Sequence, residues 1–170
     1  VDPEALHGAR NRLRRRIATE LEPALLAAYH QCATPGPYSP DARAVGRRAL
    51  RNAALGYLVE LETDDVLALA EAQFREAGNM TEQFAALGCL ANSPSPRGDA
   101  ALAAFYARWK DEPLVVDKWL MVQASSPRPD AVEEVEKLTR HPAFTLRNPN
   151  KARSLIGAFA AGNQVGFHRA

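Results

Sequence analysis

Four histidines (His7, His30, His141, His168) and two cysteines (Cys32, Cys89) are the residues best suited to bind a metal or attack a carbonyl. A thermolysin-type zinc site places two histidines at i and i+4 on a helix with a glutamate beside the first, so that both imidazoles reach one ion. No HExxH occurs, and each histidine stands alone, read as a surface or capping residue. Nucleophilic catalysis lacks its devices too: there is no GxSxG elbow, and neither cysteine has a histidine partner in sequence. Ser125, Ser126 and Ser154 read as caps or solvent-facing hydroxyls. The acidic pairs Asp64-Asp65 and Glu133-Glu134 fall in first helical turns, where they complement the helix dipole. Taken alone, these residues describe a scaffold with no catalytic centre and no metal or cofactor site of its own.

Charge gives a similar answer. Lysine and arginine total 21 against 20 acidic residues, a formal net charge of +1, so no global field draws the chain to nucleic acid or membrane. Arginines nevertheless cluster at Arg10, Arg12, Arg14, Arg15 and Arg16, and again at Arg43, Arg47, Arg48 and Arg51. Such a face can bind phosphates but is more often solvated or paired, and no nucleic-acid reading motif accompanies it. The cysteines, far apart and in apolar helical patterns, read as reduced buried thiols of a cytoplasmic protein, ahead of a single long-range disulfide. No apolar run reaches membrane-span length. Val1 in place of an initiator methionine is expected of a chain that begins inside a longer one.

The elements that must position these residues are helical. Hydrophobic residues make up 46% and charged residues 24% of the 170, as in an ordinary globular domain with one core. Asp2-Pro3, Ser39-Pro40 and Asn148-Pro149 each offer a cap followed by a proline at the first turn, where its missing N–H costs nothing. Asn79 with Glu82 resembles a capping box. Breaks fall at Thr34-Pro35-Gly36-Pro37, Ser93-Pro94-Ser95-Pro96, Glu112-Pro113 and Ser126-Pro127-Arg128-Pro129. Between them, Leu50/Ala54/Tyr57/Leu61, Val66/Ala70/Phe74/Ala77, Leu102/Phe105/Tyr106/Trp109 and Ala152/Leu155/Ile156/Phe159 repeat with helical spacing. These signals predict about eight helices, over 3–32 (bent near Pro23), 40–61, 64–77, 80–91, 97–110, 114–124, 130–140 and 149–161, with a short ninth after them, and no strands. Leu55 and Val59 lie off the Leu50–Leu61 stripe, so the 40–61 helix is apolar on two sides and must be sandwiched. The architecture expected is an all-α, HEAT- or armadillo-like superhelix, a single helical-repeat domain over 1–170.

Several stretches are more specific than a scaffold requires. Asn148-Pro149-Asn150-Lys151-Ala152-Arg153-Ser154-Leu155-Ile156-Gly157-Ala158-Phe159, then Asn163 and Phe167-His168, resemble a segment of bacterial M1-family zinc aminopeptidases, in their C-terminal helical domain. Val116-Asp117-Lys118-Trp119 with Gln123-Ala124, the pattern Arg47, Leu50, Asn52, Leu55, Tyr57, and the helix from Asn79-Met80-Thr81 are similar to the same family in the same order.

The resemblance implies a fragment of a larger C-terminal domain, whose parent releases N-terminal amino acids from peptides. The zinc-binding HExxH and the GxMEN motif of that family belong to a separate catalytic domain of the same polypeptide, and neither occurs here. The domain would enclose the active-site cavity and line the peptide channel. The family also continues for several helices beyond the equivalent of Phe167-His168. Arg153 is the residue the resemblance points to as a contact for peptide substrates, with Asn150 beside it, and a guanidinium suits a carboxylate or a carbonyl-rich backbone. An interhelix salt bridge for Arg153 and a capping role for Asn148 and Asn150 stay open, and Trp109 and Trp119 are assigned to core. A free-standing helical-repeat scaffold that binds a partner protein is the alternative reading.

Overall fold

Prolines and capping side chains set the helix boundaries in the computed structural model, which describes residues 2–34, 36–93 and 95–168. Pro35 and Pro94, central to two of the expected breaks, lie outside the described residues. Every regular element described is helical, and no strand occurs among the described residues. These elements fall into two compact units, Asp2–Ser93 and Pro94–Ala170.

The first unit begins with α1 (Pro3–Glu20), capped by Asp2, whose carboxylate accepts from the Glu4 and Ala5 N–H groups. The expected 3–32 helix is split, not merely bent. α2 spans Glu22–Gln31, and the break falls at Leu21 (φ −110°, ψ 12°), two residues before Pro23. Pro23 has no N–H to give to the Thr19 carbonyl, and its ring disfavours helical geometry just upstream. α3 (Ala42–Leu58) then runs into a 3₁₀ turn, Val59–Leu61, closed by Glu62 in the left-handed region.

The α3 cap differs from the sequence reading. Asp41, not Ser39, accepts from the Ala44 N–H at 2.9 Å, and the Ser39 hydroxyl donates to that carboxylate. Asp41 takes the position because a carboxylate satisfies an orphan N–H while sitting at the positive end of the dipole. The two bonds hold the Asp41 carboxyl below its usual range. α4 (Asp64–Glu76) and α5 (Met80–Ala91) complete the unit, the latter capped by Asn79, which accepts from the Glu82 N–H at 3.0 Å.

α2 packs on α3, α4 on α5, and α3 also meets α5. Leu55, Leu58, Ala70, Leu87 and Leu90 form a solvent-free core. Burial of Leu55 and Leu58 beside Ala54 gives α3 a broader apolar face than the Leu50–Leu61 stripe alone. Leu50 itself is 53% exposed, so the stripe overreaches at its first position. Among the α1 arginines, Arg14 donates to Glu60 and to the Gly56 carbonyl, both at 2.6 Å, and lies over the Tyr57 ring. Arg15 and Arg16 pair with Glu62 and Glu20. Both cysteines are free and half-buried, and burial pushes the Cys89 thiol up to about 12.

The second unit comprises α6 (Pro96–Trp109), α7 (Pro113–Ala124), α8 (Ala131–Thr139), then α9 (Pro149–Ala152), a π-helical stretch Arg153–Gly157, α10 (Ala158–Gly162) and α11 (Gln164–Phe167). α11 is the short ninth element expected from the sequence. Phe105, Leu120, Ala124 and Leu155 are fully or almost fully buried, with Val116, Trp119, Val135 and Leu138 around them. The predicted 149–161 helix is therefore a helix interrupted by a π turn. Its i→i+5 bonding shifts the side-chain register away from a 3.6-residue stripe. Leu155 stays buried as expected, but Ile156 turns outward to 41% exposure.

Candidate functional site

Asn148 starts the segment that carries the site. Its side chain accepts from the Asn150 N–H at 2.9 Å, Pro149 occupies the first helical position, and the Asn150 side chain is exposed. One residue on, Lys151 points inward and is only 7% exposed. Its ammonium donates to the Pro113 carbonyl at 3.0 Å and forms an ion pair with Asp117, Nζ to Oδ1 2.8 Å. A buried ammonium is tolerated only when its charge and protons are met in this way. The pair joins the two stretches singled out in the sequence, since Asp117 belongs to Val116-Asp117-Lys118-Trp119 and Lys151 to the NPN segment.

The far end of the segment is fixed by Asn163, which is buried. Its amide donates to the Ser126 carbonyl at 2.7 Å and its oxygen accepts from the Gly166 N–H at 3.0 Å. Close backbone approach explains two glycines. A Cβ at Gly162 would meet Ser125 Oγ at 3.0 Å, and one at Gly166 would meet Asn163 Oδ1 at 2.9 Å.

Trp119 completes the support from α7. Its indole donates to the Leu102 carbonyl at 3.0 Å, and its ring lies 4.6 Å from that of Tyr106 and 5.2 Å from that of His141. His141 accepts from the Ala143 N–H through Nδ1, so it closes a turn and packs on aromatic rings. Trp109, also assigned to core, is half-buried, with the Arg108 guanidinium over its ring.

Between the Lys151 and Asn163 anchors lies the π turn, with Arg153 as its first residue. Arg153 is exposed and makes no ion pair or hydrogen bond with the other described residues. Irregular turns of this kind recur at functional sites, because they spend regular helical geometry to aim a particular side chain. The arrangement is a helix anchored at both ends that presents an uncommitted cation, which can hold a carboxylate or carbonyl oxygens. Among the described residues, no three His, Cys, Asp or Glu side chains gather to hold a metal ion.

Sequence reasoning placed Arg153 at the edge of the buried stripe and missed Lys151 and Asn163 as its anchors. The available signal was a lysine on the side of the helix that also carries Leu155.

A family model described as "Domain of unknown function (DUF3458_C) ARM repeats" matches residues 1–170. The chain is similar to aminopeptidase N of Caulobacter vibrioides, 42% identical over 168 residues that make up 99% of this chain and 20% of that protein. Aminopeptidase N of Escherichia coli is 40% identical over the same length, 99% of this chain and 19% of its own. Among solved structures, a crystal structure of Legionella pneumophila aminopeptidase A in complex with aspartic acid superposes with a TM-score of 0.88 at 32% identity. That match covers 99% of this chain and 21% of the other. The chain thus spans about a fifth of the length of the curated relatives it matches.

Proposed function

The chain belongs to the DUF3458_C ARM-repeat family, and from that premise we propose that it serves as a non-catalytic C-terminal domain of an M1 zinc aminopeptidase. In this reading, residues 1–170 act as one domain that encloses the active-site cavity and lines the peptide channel. The parent enzyme releases N-terminal residues from peptides, and the catalytic domain of the same polypeptide is the chain's partner.

The carrying observation is the likeness over nearly the whole chain to aminopeptidases several times its length. Exposed Leu6, Leu13, Leu114 and Leu146 support packing against further protein. Zinc is implied by the family, but the described residues of this chain do not fit a zinc site. No step is therefore assigned to zinc here. Arg153, with Asn150 near it, contacts the substrate: the exposed guanidinium binds a peptide's far carboxylate or carbonyl oxygens by charge-assisted hydrogen bonds. Two free thiols support a reducing, cytoplasmic setting, and no described helix is long and apolar enough to cross a membrane.

The 170-residue chain, supplied with zinc and an alanyl arylamide, is expected to give no release above the uncatalysed rate. Sustained turnover that is abolished by a chelator would overturn the assignment of catalysis to the rest of the polypeptide.

A further inference from the structure

The first unit contains a cavity of about 690 Å³. Arg43, Arg47, Arg48 and Arg51 of α3 line one wall, and Gln73, Glu76 and Glu82 from α4 and α5 face them. The i, i+4, i+5, i+8 spacing puts all four guanidiniums on one side of α3.

Two of the nearby acids are already committed. Asp41 caps α3, and Glu82 pairs with Arg51 at 2.8 Å while also accepting from Asn79. Arg43, Arg47 and Arg48 form no ion pair among the described residues. Arg47 donates to the Gln31 and Ala33 carbonyls, and Arg48 donates to the Ser39 carbonyl and stacks on Tyr38. Arg48 is nonetheless only 4% exposed. Its charge is felt by the Asp41 carboxylate, but no acidic oxygen of the described residues forms an ion pair with it, and its hydrogen bond goes to a neutral carbonyl.

Three polar atoms in the same lining are buried without partners: Nε of Arg47, Nε of Arg51 and Oε1 of Gln73. Two spare donors beside uncompensated guanidiniums ask for anionic oxygens, and the spare amide oxygen asks for a hydroxyl or N–H. Four guanidiniums face three carboxylates (Asp41, Glu76 and Glu82) in the lining, so the cavity keeps a net positive charge, and its several separate donors suit an anion with more oxygens than a carboxylate offers.

We propose that this arginine-lined cavity binds an oxyanion of the phosphate type, carried on a small molecule. The guanidinium forks take the oxygens, Gln73 takes a hydroxyl, and the space beside Pro37 and Tyr38 admits the organic portion.

Calorimetric titration with inorganic phosphate in dilute chloride buffer at neutral pH tests this. One saturable site per chain is expected, with acetate failing to compete at equal concentration. Arg43→Gln, an exposed position that holds no structural bond, should weaken binding by about fivefold or more, and Arg48→Gln should abolish it. Arg12→Gln on exposed α1 should change nothing. Absence of saturable heat, equal competition by acetate, or equal weakening by Arg12→Gln and Arg43→Gln would each overturn the proposal. So would loss of phosphate binding in the longer polypeptide, because the cavity would then be filled by protein. Since Arg43→Gln leaves folding intact, the test stands even if Arg48→Gln melts the unit.

Discussion

Replacing Lys151 with methionine is expected to destabilise the second unit by about 3 kcal/mol or more, because it leaves the Asp117 carboxylate buried without its cation. The two side chains are 9% and 15% exposed, so little water reaches the orphaned charge. The Pro113 carbonyl loses the lysine's bond in the same step and keeps its helical one. Both tryptophans of the chain, Trp109 and Trp119, lie in this unit, so denaturant unfolding followed by tryptophan fluorescence reports it selectively. Exchanging both partners, Lys151→Met with Asp117→Leu, should recover most of the loss, since an apolar pair carries no desolvation penalty. A double variant no better than Lys151→Met would show that the geometry of the pair, not its charge balance, holds the segment to α7.

The second large effect is expected at Trp119. Trp119→Ala removes a side chain that is 7% exposed and stacked against Tyr106 and His141, and should cost about 3–5 kcal/mol in the same measurement. Trp119→Phe keeps most of the packing and removes only the indole donor, while the Leu102 carbonyl keeps its helical bond, and should cost about 1 kcal/mol. That ordering separates the contribution of the indole N–H from that of the ring. If the two variants lose the same amount, the hydrogen bond rather than the packing dominates.

Much of the fold was legible in the sequence because prolines and caps act locally. Pro3, Pro96, Pro113 and Pro149 each stand at the start of a helix, and Asn79 and Asn148 cap as their spacing suggested. The failures share a physical cause: they depend on partners distant in sequence or on non-standard helical geometry. Ile156 was assigned inward by a 3.6-residue period that a π turn does not obey. Leu50 followed the right period on a helix whose first half borders the arginine cavity instead of core. A lysine such as Lys151 reads as solvated until its carboxylate, 34 positions away in sequence, is brought beside it by folding. The arginines of α3 were recognised as a cluster, but only the fold shows which of them lack an acidic partner.

In the function proposed above, the second unit holds Arg153 ready for a peptide while the chemistry takes place elsewhere in the polypeptide. The test is the kinetics of Arg153→Ala and Arg153→Lys in the longer polypeptide, comparing an aminoacyl arylamide with peptides of increasing length. Arg153→Ala is expected to lower kcat/KM about tenfold or more on the longer peptides, the worth of one charge-assisted contact, to leave the arylamide unchanged, and to be partly rescued by lysine. Unchanged kinetics on peptides of every length, or an equal fall on the arylamide, would contradict it.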